Sequence, residues 1–148
     1  MASSERYPYV VRGARIYCTY GTHIRRLDMP VGHGAYIREI PMMHELDCEV
    51  GLDKNIAPFG ACRSPASTNV DIIIEDAEDA MPIQDENGNN VMPPMPLEGK
   101  LCEPEPGDKW LDAQDDTLVD GVPAITVNCT IACRLDGIIG FMDDGQGV

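Results

Sequence analysis

At 148 residues the chain is one domain's worth of sequence, enough to bury a core, yet it holds a single Trp and two Phe, so that core falls to Val, Ile, Leu, Met and Cys. Its net charge of −14 is lopsided, with eight basic and seven acidic side chains in residues 1–70 against three and eighteen in residues 71–148. An acidic half repels phosphate, which argues against nucleic acid and anionic membrane as partners, and 12 Pro with 14 Gly argue against long helices.

The start, MASSERYPYV, lacks an apolar stretch of signal-peptide length, and no apolar run approaches the roughly 20 residues that span a bilayer. The expectation is a chain without a signal peptide, kept in the cytoplasm unless dedicated machinery exports it. Six cysteines in a reducing compartment are then expected as core residues or metal ligands ahead of disulfides.

In chain order, Val10–Gly21 reads as strand, with Ile16, Cys18 and Tyr20 on one face, Arg15, Tyr17 and Thr19 on the other, and Gly13 and Gly21 as turns or bulges. It weakly echoes the C-terminal segment, where Gly121 leads into alternating residues, Cys133 and Gly137. Gly32 and Gly34 flank His33 and predict a tight turn that holds its imidazole clear of the backbone. Tyr36, Ile37 and Ile40 suggest a short strand before Pro41, and His33 and His44 do not fit a helical zinc pattern because Gly and Pro separate them. Ala57–Cys62 is a Pro-Phe-Gly bend that delivers Cys62.

From Ser64 to Gly99 the composition turns to Pro, Ser, Asn, Asp and Met, which predicts a surface insertion, extended or partly disordered, with a strand only at Ile72–Ile74 and a type I′ hairpin tip at Asn87-Gly88. The run DENGNN is not a calcium loop, since Asn90 stands where the EF-hand glycine belongs and Pro96 where its bidentate Glu belongs. Leu101–Pro106 reads as an extended connector carrying Cys102, and Trp110 as the large aromatic that seals a core edge. Through Val119–Leu135, residues Val119, Pro123, Ile125, Val127, Cys129, Ile131, Cys133 and Leu135 share one parity, which predicts buried-face strands divided by a turn near Asn128. Gly137–Phe141 predicts a closing strand. The sum is an all-β fold of short strands and hairpins in one domain spanning residues 1–148.

There is no Gly-x-Ser-x-Gly elbow, phosphate-binding glycine loop or Cys-x-x-Cys, so the expectation is a protein that is not an enzyme. The segments VVRGARIYCTYGTHIRRL, VGHGAYI, APFGAC and LCEPEP, with Trp110, VDGVPAIT and the terminal Gly-Gln, resemble the PAAR-like proteins of bacterial contractile injection systems. Those proteins cap the spike of type VI secretion and related phage-tail-like machines. The resemblance covers most of the chain apart from Ser64–Gly99, and departs from the family at its close, where Cys133-Arg-Leu-Asp-Gly replaces Cys-x-x-Gly-Gly.

The resemblance implies a small conical β-structure that often carries zinc near its point, seated on a trimeric valine–glycine repeat spike. It places the family's cysteine positions on Cys18, Cys62, Cys102 and Cys133 and its turn histidine on His33. The expected function is a structural tip protein that sharpens the spike for membrane puncture and links effector cargo to it, one monomer on the spike trimer. The protein would be cytoplasmic during assembly and then leave with the spike. The alternatives are a small secreted metal-dependent hydrolase or toxin, or a free-standing zinc-stabilised binding module. The expected metal set is Cys62, Cys102, Cys133 and His33, holding a structural zinc; reduced core cysteines and disulfides formed after export stay open beside it.

Overall fold

A computed structural model describes residues 7–51 and 53–147. Among them the chain forms thirteen short strands and no helix. In order these are β1 (Arg15–Cys18), β2 (Arg25–Arg26), β3 (Tyr36–Ile37), β4 (Ile40–Pro41), β5 (Ala61–Cys62), β6 (Asp71–Ile74) and β7 (Ile83–Gln84). They continue as β8 (Asn90–Val91), β9 (Leu97–Leu101), β10 (Gln114–Val119), β11 (Val122–Ala124), β12 (Ile131–Ala132) and β13 (Ile138–Phe141). The fold is all-β, in several small antiparallel sheets.

The sheet that organises the molecule has the order β12-β13-β1-β2 and joins the two ends of the sequence. Ile16 lies opposite Phe141 and Cys18 opposite Ile139, so the expected closing strand is interior to its sheet. The alternation read from the sequence holds in β1, where Ile16 and Cys18 are buried while Arg15 is exposed. A second sheet, β5-β9-β6, attaches along the Cys62 bend, and the rest of the strands form the hairpins β3–β4, β7–β8 and β10–β11.

Turn chemistry explains why the strands stay short. Among the described residues seven non-glycine residues have positive φ, and five of them are Asp, a residue whose short side chain tolerates the left-handed region better than most. Asp120 and Gly121 (φ 51° and 80°) form the two-residue tip between β10 and β11, with Val119 opposite Val122. Both tip residues are at positive φ, as a type I′ turn requires. The run from Val119 to Leu135 is therefore cut twice, at Asp120-Gly121 and again at Val127-Asn128, the second where the sequence places it. Asn87-Gly88 is not a type I′ tip: only Gly88 has positive φ, and a longer loop closes through Asp85 N–H to the Asn89 carbonyl and Gly88 N–H to the Asp85 carbonyl.

The stretch 64–99 is more structured than its composition suggests. β6 pairs over its full length with β9, which begins at buried Leu97, and Met81 N–H reaches the Thr22 carbonyl. The hairpin β7–β8 does lie outside the core, with all four strand residues exposed. Trp110 is fully buried in the core, with its ring centroid 4.7 Å from that of Phe141 and its Nε1–H donating to the Asp47 carbonyl. Truncating so large a buried ring costs about 3–5 kcal/mol in comparable cores.

Candidate metal centre

Four cysteines reach one place from four separate segments. Cys18 ends β1, Cys62 ends β5, Cys102 follows β9, and Cys133 follows β12. All four side chains are buried, and the bridges Gly21–Cys62 and Pro106–Cys133 draw the segments together. With Phe59, Pro104, Leu135 and Ile139 they line a cavity of about 10 Å³ whose walls expose only apolar surface. Such a volume holds one atom-sized occupant.

Glycines make that convergence sterically feasible. A Cβ on Gly137 would lie 2.8 Å from the Cys18 sulfur, and one on Gly99 would lie 2.8 Å from the Ala61 Cβ. Backbone amides are aimed at two of the sulfurs. Phe59 N–H donates to Cys102 Sγ at 3.2 Å and Glu105 N–H to Cys133 Sγ at 3.4 Å, an arrangement that suits a negatively charged thiolate.

Burial works in the opposite direction. It raises the Cys18 thiol above its ordinary value and pushes Cys102 up to about 11, and the neighbouring sulfurs add to both effects. Alone, these groups are protonated thiols at neutral pH; a bound cation would hold them as thiolates and satisfy the amides directed at them. By ligand type the donor set suits a thiophilic metal. All six cysteines are free, buried thiols. Cys48 and Cys129 stand apart from the four: Cys48 donates to the Asp108 carbonyl at 3.4 Å, and Cys129 accepts Thr126 N–H at 3.3 Å.

A second group lies elsewhere. His33, His44 and Asp47 present donor atoms all within 4.8 Å of one another and could hold a metal ion; among the described residues they are the one such set, so the four sulfurs are spread more widely around their cavity. His33 Nε2 bonds both Asp47 oxygens, at 2.9 and 3.0 Å, and its ring stacks on His44 with centroids 3.9 Å apart and planes 20° from parallel. Asp47 also accepts the His44 backbone N–H at 2.8 Å, and His44 Nδ1 accepts Leu46 N–H at 3.2 Å. These hydrogen bonds and the ring stack hold the three side chains together as one cluster.

Of the expected metal set, Cys62, Cys102 and Cys133 line one cavity. His33 does not join them: its Gly-flanked turn lies against the 44–47 turn, and the imidazole is half-buried on His44 and Asp47 rather than standing clear. The fourth member of the cysteine group is Cys18. Its inward parity was legible in the sequence, but parity alone reads equally well as core. Asp47 and His44 had no sequence signal beyond residue type.

This chain, all-β, belongs to the family described as a domain of unknown function, DUF4280, whose model matches residues 10–146. No curated protein and no solved structure matches it.

Proposed function

We propose that this protein is a PAAR-like spike tip of a contractile injection system, of the type VI secretion or a related phage-tail-like kind. The observation that carries the reading is the meeting of Cys18, Cys62, Cys102 and Cys133 in one cavity, since these are the four positions that the resemblance to PAAR-like proteins picks out along the sequence. Membership of a family associated with such proteins supports it further. In this reading the protein acts mechanically. It caps the trimeric valine–glycine repeat spike, hardens its point for membrane puncture and links effector cargo to it. Assembly takes place in the cytoplasm and the protein leaves with the spike.

The metal in this reading is zinc, held by Cys18, Cys62, Cys102 and Cys133. When bound it supplies a cross-link between four segments that are distant in sequence, in a core with few aromatic side chains. The chain's own residues supply the thiols, the amide donors at Phe59 and Glu105, and the apolar wall that excludes water.

One chain on a trimer must meet three identical subunits with three different faces, so the expected stoichiometry is one tip per trimer. Analytical ultracentrifugation of the protein mixed with its genome-neighbouring spike trimer tests this. Three copies per trimer, or no complex, overturns the assignment.

A further inference from the structure

Most sheet edges in this molecule are protected. β2 is two arginines, β5 is bridged from Cys62 to Gly21, and β12 is flanked by bridges from Thr130 to Leu111 and from Cys133 to Pro106. β10 is interrupted by a register shift and carries exposed Asp115 and Asp116. β6 is different. Asp71–Ile74 is the outer strand of β5-β9-β6, four residues long with an unbroken register, and it contains no Pro, Gly or Lys. Val70 is 67% exposed and Ile73 59%.

The phase of the ladder fixes which backbone groups are unpaired. Leu101 N–H donates to the Val70 carbonyl at 2.8 Å, so Asp71 and Lys100 form a non-hydrogen-bonded pair, and the bonded pairs are Ile72 with Gly99 and Ile74 with Leu97. The N–H and C=O groups of Asp71 and Ile73 therefore point away from β9, and they have no backbone partner among the described residues. Two donors and two acceptors stand in line on an apolar, regular edge, which is the requirement for adding a strand.

Charge selects the occupant. Glu98 lies across from Ile73 on the same face, and Glu75 and Asp76 continue the strand. The one cation of this ladder, Lys100, is already paired with Asp71 at 2.6 Å. A second copy of β6 would set these acids against one another on molecules that each carry −14. We infer that β6 is a docking edge for an extended strand of alternating basic and apolar residues from another protein.

The probe is the peptide acetyl-Lys-Val-Lys-Val-Lys-Val-Lys-amide, added to the isotope-labelled full chain and followed by amide hydrogen exchange and chemical shift. In the free protein the amides of Asp71 and Ile73 exchange at least about tenfold faster than those of Ile72 and Ile74; with peptide at about 1 mM they gain about tenfold protection. Ile73→Pro removes one outward donor without touching the β6–β9 bonds and abolishes that protection. Asp71→Lys weakens it, and serves if the proline variant does not fold. The inference is overturned if the lysine peptide leaves both amides unprotected, if the glutamate counterpart protects them equally, if the shifts map elsewhere, or if the free protein protects these amides by self-association as its concentration rises.

Discussion

Gly60 and Gly88 have nearly the same left-handed backbone, with φ of +74° and +81°, but their surroundings differ. A Cβ on Gly88 meets nothing within 4 Å, whereas one on Gly60 would collide with the Thr22 hydroxyl and the His23 ring, which bond each other at 2.8 Å. Gly88→Ala should cost only the left-handed strain, about 1 kcal/mol, and Gly60→Ala at least twice that, as read by urea unfolding. Equal losses would show that the Thr22–His23 contact yields freely. His44 provides the other prediction at this scale. Burial, followed by the nearby His33, holds its pKa below the ordinary 6.5, although Asp47 opposes the shift. A depressed folded value means that the unfolded chain takes up the proton first, so the His44 contribution is complete above about pH 6.5 and is lost as pH falls through the lower folded value. Melting temperature should decline on acidification from pH 7, before most carboxylates titrate, and His44→Asn should flatten that decline. An unchanged slope in the variant would remove His44 from the account.

At the scale of elements, the stretch 64–99 divides into two parts with different roles. β6 is tied to β9 along its length, and His23 Nε2 bonds the Asp76 carbonyl at 2.8 Å, whereas β7 and β8 are exposed and pair only with each other. Replacing residues 83–92 by a short Gly/Ser linker should change stability by no more than about 0.5 kcal/mol, since loop length enters only logarithmically. Extending the same replacement back through Asp71 removes the β6 ladder and should cost several-fold more. If both variants unfold at the same denaturant midpoint, β6 contributes nothing to the fold.

For the whole molecule, the four-cysteine cavity brings together the first strand, the Cys62 bend, the β9 connector and the C-terminal sheet. Protein purified without chelator should carry about one equivalent of zinc, and its removal should lower the melting temperature by roughly 10 °C. Cys18→Ser and Cys102→Ser should each release the metal. Cys129→Ser and His33→Ala should retain it. In a cobalt-loaded sample the thiolate charge-transfer bands should disappear with the first two substitutions alone. Less than a few tenths of an equivalent of metal would leave the four as buried thiols, and loss of metal in His33→Ala would move the centre to the His33–His44–Asp47 group.

Local chemistry was enough to reveal the all-β class. Period-two alternation around Ile16 and through Cys129–Cys133, together with the Gly and Pro content, reflects which side chains a half-buried strand can accept, and that signal lies within a few residues. The inward parity of Cys18 and Cys133 was legible for the same reason. Their meeting with Cys62 and Cys102 was not, because it depends on β1 pairing with β13 and β5 with β9, contacts between residues as many as 125 positions apart (16 with 141). The placement of His33 failed on the same ground: its neighbours Asp47 and His44 are set by the packing of two turns, which leaves no period in the sequence. Likewise the open edge of β6 follows from one hydrogen bond, Leu101 to Val70, that sets the phase of a ladder, and only the tertiary structure chooses between two phases that the residues Val70–Ile74 permit equally.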